Sequence, residues 1–124
     1  MRRITRGAAA LAVATAAVAA IGTSSAHASD RTVFNCPGGA VCIYPRDADI
    51  HSSTPTNVYY SYGAHNLSNQ FGNHYVLNNQ YGGANATADL CTGYDGVGCG
   101  ITIEMNYFKK VDLTPINSIV LNRP

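Results

Sequence analysis

A chain of 124 residues with only 12% charged side chains and a formal net charge of +1 makes one small domain. Past a basic start at Arg2, Arg3 and Arg6 it carries no basic patch able to neutralise nucleic-acid phosphates, so no nucleic-acid partner is expected. A domain of this size has a marginal hydrophobic core unless something else constrains it.

The first element in the chain is a leader. Arg2, Arg3 and Arg6 form a basic start, Ala8 to Gly22 is apolar and uncharged, and Ala26-His27-Ala28 is a small-x-small cleavage site. The apolar run of 15 residues is shorter than a membrane span requires. Residues 1–28 therefore read as a signal peptide for the general secretory route, and residues 29–124 as the exported domain. That domain holds five basic and seven acidic residues, a formal charge of −2, and all eight tyrosines. Once the leader is removed, nothing remains to hold it in a membrane.

The exported part shows no sustained helical period. Short β-branched and aromatic runs alternate instead with Gly, Asn, Asp and Pro. In chain order the predicted strands are Val41–Tyr44, stopped by Pro45; Val58–Tyr62, ended by Gly63; His74–Leu77; Ala86–Cys91; Ile101–Met105, which alternates apolar and polar; and Ser118–Leu121. Alternation along Val58–Tyr62 places Tyr60 and Tyr62 on one face and Tyr59 on the other. A faint repeat links Asn66-Leu67-Ser68 to Asp112-Leu113-Thr114, and His74–Asn78 to Ser118–Asn122. Cys42 and Cys91 then each fall in the first strand of a half. Two four-strand units packed face to face would give an all-β sandwich of two Greek keys.

Four cysteines, Cys36, Cys42, Cys91 and Cys99, allow three pairings in an oxidising compartment. Cys36–Cys42 and Cys91–Cys99 are favoured because each pair flanks a Gly-rich segment that can turn back on itself. The spacings are wider than is usual for zinc.

The opening Cys36-Pro37-Gly38-Gly39-Ala40-Val41-Cys42-Ile43-Tyr44 resembles the start of small secreted bacterial proteins grouped with metalloprotease inhibitors. Leu90-Cys91 with Cys99, and Asn117-Ser118-Ile119, are similar to the same family. The resemblance covers nearly all of residues 33–122. It implies a βγ-crystallin-like double Greek-key sandwich with two local disulfides, no cofactor and a secreted protease as partner; the domain itself reads as a monomer. In such inhibitors the reactive bond directly follows the first cysteine of the second disulfide. Here that is Cys91-Thr92, and the implied inhibitory loop is Cys91, Thr92, Gly93 and Tyr94. Thr92 is small and polar where thermolysin-like enzymes favour a bulky apolar side chain. Gly93, Gly96 and Gly98 are expected to loosen the loop.

Crystallin-like domains often bind calcium through an acidic-start, Ser-end signature in each half. Here Leu113 and Thr114, and Asn73 and His74, stand where ligands should be, and Ala48–Ser53 lies too near the first strand. His51, His65 and His74 lack metal-ligand spacing and are expected at the surface. No serine-nucleophile motif is present, and Glu104 alone cannot form a glutamate pair, so the chain does not read as an enzyme. Asp47 and Asp49 read as turn formers. The alternative function is a non-catalytic extracellular module that binds glycan or protein. It would use a face of tyrosines (Tyr59, Tyr60, Tyr62, Tyr75, Tyr81, Tyr94, Tyr107) interleaved with Asn69, Gln70, Asn78, Asn79 and Gln80.

Overall fold

A computed structural model describes residues 31–124, which form one compact unit. Residues 1–28, expected from the sequence to be a signal peptide, lie outside the described residues. Among those described the fold is all-β: β1 (Ala40–Ile43), β2 (Asn57–Tyr59), β3 (Gly63–Asn66), β4 (Asn73–Asn79), β5 (Ala88–Cys91), β6 (Cys99–Ile103), β7 (Phe108–Asp112) and β8 (Ser118–Leu121). No described helix is long and apolar enough to cross a membrane.

The strands form two antiparallel sheets of four, in the orders β2-β1-β4-β7 and β3-β8-β5-β6. In each half of the chain the third strand leaves its own sheet for the other. β3 pairs with β8, Ala64 opposite Val120, and β7 pairs with β4, Val111 opposite His74. This explains why the predicted strand Val58–Tyr62 breaks. The chain must leave the first sheet after Tyr59 to begin β3 in the second, so Tyr60-Ser61-Tyr62 is a crossing segment, and the alternation expected of its tyrosines does not apply. Glu104–Tyr107 makes the equivalent crossing in the second half, and the strand expected to reach Met105 ends at Ile103.

The inner faces of the sheets meet in one apolar cluster. Val41, Ile43 and Val76 come from the first sheet, Leu90, Ile103, Ile119 and Leu121 from the second, and Leu67 and Leu113 follow the exchanged strands. A buried aliphatic side chain of this kind stabilises by ~1.5–3 kcal/mol. The outer face of the first sheet carries a second cluster of Cys36, Ala40, Cys42, Tyr44, Ile50 and Leu77. β1 is therefore buried on both faces, which is why it reads as an unbroken apolar run. Both expected disulfides form, Cys36–Cys42 and Cys91–Cys99.

The structure corrects the register of the repeat. Val76 lies in the inner core, whereas its echo Val120 lies on the opposite face of β8, against Gly96. Leu121 is in the inner core and its echo Leu77 in the outer cluster. The two halves do correspond strand for strand, and the first echo keeps step, with Leu67 and Leu113 both in the inner core. The letters of His74–Asn78 and Ser118–Asn122, however, are one residue out of step, which reverses their side chains.

Three amides expected on a binding face are interior. Asn78 is fully buried, and its Nδ2 donates to the carbonyls of Ala86 (2.8 Å) and Ile103 (2.9 Å). Asn79 donates to the carbonyls of Arg31 and Cys36, and Gln80 to those of Ala86 and Thr87. These side chains satisfy backbone acceptors where irregular chain is buried against the first sheet. Asn78→Ala leaves Ile103 without that donor and Ala86 with only the longer one from Gln80. It should lower unfolding free energy by roughly 2–3 kcal/mol, read as a fall in urea midpoint at unchanged slope.

Tyr44 gives the fold a signature in alkali. Its side chain is buried, its hydroxyl donates to the Phe34 carbonyl at 2.6 Å, and burial pushes its pKa from 10.0 up to about 12. The unfolded phenol ionises first as pH rises. Its contribution to stability is therefore whole below the unfolded value and drains away between 10.0 and about 12. A phenolate absorbance titration should show a late step from Tyr44, at about 12, and Tyr44→Phe should remove it.

Candidate functional site

Residues 92–98 leave β5 at Cys91 and return to β6 at Cys99, closed by the second disulfide. The three glycines expected to loosen this loop lie in a hydrogen-bonded turn. Thr92 N–H donates to the Gly98 carbonyl (3.0 Å), Gly93 N–H to the Val97 carbonyl (2.8 Å) and Val97 N–H to the Tyr94 carbonyl (3.2 Å). Asp95 takes a left-handed conformation, with φ of 57°. Gly96 follows with φ of +79°, and a Cβ there would stand 3.0 Å from Val120 Cγ2 and 3.5 Å from Ala64 Cβ. Glycine lets this turn lie flat on β3 and β8. It is there for close approach.

Side chains distant in sequence fasten the loop to the sheet. Asn66, the last residue of β3, accepts from Asp95 N–H at 2.8 Å, and its amide donates to the Asp95 carboxylate at 3.0 Å. Ser118, fully buried at the start of β8, donates to the Gly93 carbonyl at 2.7 Å and accepts from Gly96 N–H at 3.0 Å. Asn117 donates through its side chain to the Thr92 carbonyl (2.7 Å) and through its backbone to that of Cys91 (2.9 Å). One strand from each half therefore grips the loop.

This sorts the four residues singled out in the sequence. Cys91 is fully buried. The Cys91-Thr92 peptide is engaged at both ends, its carbonyl by Asn117 and its N–H by Gly98. Thr92 is exposed and Gly93 half-buried, while Tyr94 is 57% exposed. Val97 was not singled out, yet at 65% exposed it is the other apolar side chain that the loop offers to solvent. An apolar residue inside a Gly-rich disulfide loop was the available signal.

The tyrosines separate. Tyr60, Tyr62, Tyr94 and Tyr107 are exposed. Tyr59 is half-buried beside the inner core with its ring 4.7 Å from that of His65, and burial raises its pKa against the opposing hydrogen bond from Asn57. Tyr75 packs beside the outer cluster. Arg123 lies over Tyr62 and Arg31 over Tyr81, with the guanidinium carbon 4.6 and 4.7 Å from the ring centres.

The histidines stand apart. His51 pairs with Asp49, whose carboxylate is held below its usual range by the His51 backbone N–H and then by its ring. His65 meets the Ser61 carbonyl. His74, expected at the surface, is buried, with Nδ1 2.7 Å from the Tyr44 carbonyl oxygen and Nε2 2.9 Å from that of Phe71. Among the described residues no three His, Cys, Asp or Glu side chains gather in a group able to hold a metal.

Comparison of the chain with protein-family models, with curated proteins and with solved structures gives no match in any of the three.

Ser118→Ala removes the hydroxyl that ties Gly93 to Gly96 and should cost about 1–3 kcal/mol. Amide hydrogen exchange should accelerate at Gly93, Gly96 and Val97 but not in β1 or β4.

Proposed function

We propose that the protein is an extracellular, non-catalytic inhibitor of peptidases that docks its Cys91–Cys99 loop on a secreted protease. The strand orders support the finer fold reading. Two four-strand halves, each lending its third strand to the other's sheet, suit a βγ-crystallin-like double Greek key. Two disulfides are compatible with an extracellular setting.

One observation carries the inhibitory reading: the loop is held in a single shape by a disulfide and by hydrogen bonds from both Asn66 and Ser118. A protease that docks on such a loop orders little of it, so little conformational entropy is lost. Thr92, Tyr94 and Val97 supply the exposed contact. Cutting Cys91-Thr92 would leave both new ends tethered, Cys91 by the bridge and the Asn117 backbone, Thr92 by Gly98 and the Asn117 side chain. Held together in this way, the ends would re-join more readily than they part.

Titrating the oxidised protein into thermolysin and into subtilisin should slow one of them with an equimolar end point. Ser118→Ala should be digested faster and inhibit less. Clean digestion at Cys91-Thr92 of the unaltered protein, with neither protease slowed, would rule the reading out.

A further inference from the structure

A second feature borders the loop and shares only Tyr94 with it. The turn at residues 68–71, the turn at 114–117 and Tyr94 enclose a shallow depression of about 240 Å³. This is smaller than the clefts that enclose drug-sized ligands, which makes it a seat for a single ring. Its floor is apolar, from the buried side chains of Leu67 and Ile116. Phe71 and Tyr94, 55% and 57% exposed, give it two aromatic walls.

The rest of the lining is hydroxyl and amide, from Ser68, Asn69, Gln70, Thr114 and Asn117, with no charged side chain among them. The carboxylates nearest in sequence to lining residues, Asp95 and Asp112, are already engaged. Asp95 receives the Asn66 amide, and Asp112 is held below its usual range by hydrogen bonds from Thr114, first its hydroxyl and then its N–H. The lining itself offers a charged ligand no ion-pair partner, with Arg46 lying behind Gly72 rather than among the lining residues. A wholly apolar ligand would leave the amides without partners. What fits is a neutral molecule with apolar faces and a polar edge.

The backbone at Phe71 and two of the polar lining groups are bonded in place before any ligand arrives. The His74 ring holds the Phe71 carbonyl, the Thr114 hydroxyl accepts from Gly72 N–H, and the Asn117 amide is anchored on Thr92. We propose that this depression binds one pyranose ring of a neutral saccharide. The ring would lie against both Phe71 and Tyr94, with its hydroxyls hydrogen-bonded by Ser68, Asn69 and the oxygen of Asn117. The site does not depend on the inhibitory reading, and it replaces the amide face that the interior positions of Asn78, Asn79 and Gln80 remove.

The experiment is an amide NMR titration of the oxidised protein with three probes: a trimer of N-acetylglucosamine, a trimer of glucose and a trimer of galacturonic acid. At least one neutral trimer should shift the amides of Ser68–Phe71, Tyr94 and Asn117 more than the acidic one does. Phe71→Ala and Tyr94→Ala should each weaken that binding about tenfold, while Tyr107→Ala leaves it unchanged. Spectral dispersion of each variant reports whether it is folded. No shift with either neutral trimer at millimolar concentration, shifts confined to another surface, or preference for the acidic trimer would each overturn the proposal. Protease titration of Phe71→Ala keeps the two readings distinct, because Phe71 lies outside the disulfide loop.

Discussion

Neither half of this chain can complete a sheet alone. β3 is made by the first half and bonded to β8 of the second, and β7 is made by the second and bonded to β4 of the first. The inner core follows from that exchange, since Leu67 and Leu113 enter it at the ends of the two strands that cross over. Residues such as Ala64 and Val120 pair across most of the domain, so the native pairings close long loops. Folding dominated by such contacts is slow for its size and cooperative.

A small interior leaves work for other interactions. The Cys36–Cys42 bridge lies within the outer cluster, covered by the N-terminal segment around Phe34. Asn78, Asn79 and Gln80 satisfy buried carbonyls, and the His74 ring spans two more. Each replaces apolar volume with directional bonds, which fix one arrangement where a purely apolar filling would tolerate several. The same method secures the Cys91–Cys99 loop, where a serine hydroxyl and an asparagine amide hold the turn in place of a larger hydrophobic contact.

How legible each element was depends on where its energy comes from. β1, β5 and β8 bury apolar side chains, and their sequences carry that signal. β3 (Gly63–Asn66) and β7 (Phe108–Asp112) are largely exposed edge strands. They are held by backbone pairing to distant partners, so no local pattern marks them. Lys109 and Lys110 on β7 read as loop but suit an edge strand that must not pair with another molecule. The disulfide pairing was readable because it is local. The stiffness of the loop was not, because Asn66 and Ser118 are brought to it by strand pairing across the whole domain. The amides of β4 misled for a related reason: composition shows that they are polar, and only the fold shows that Asn78 points inward.

The two bridges differ in what surrounds them. Cys36 and Cys42 are both sealed in the outer cluster, whereas Cys99 stands in solvent opposite its buried partner. A small thiol reagent can reach the second bridge from the Cys99 side without unfolding anything, but reaches the first only when the N-terminal cover lifts. Gentle reduction would therefore proceed in a set order. It would first yield a species with its sandwich closed and its 92–98 turn held by hydrogen bonds alone, which makes the redox state of the surroundings a means of adjusting one end of the molecule independently of the rest.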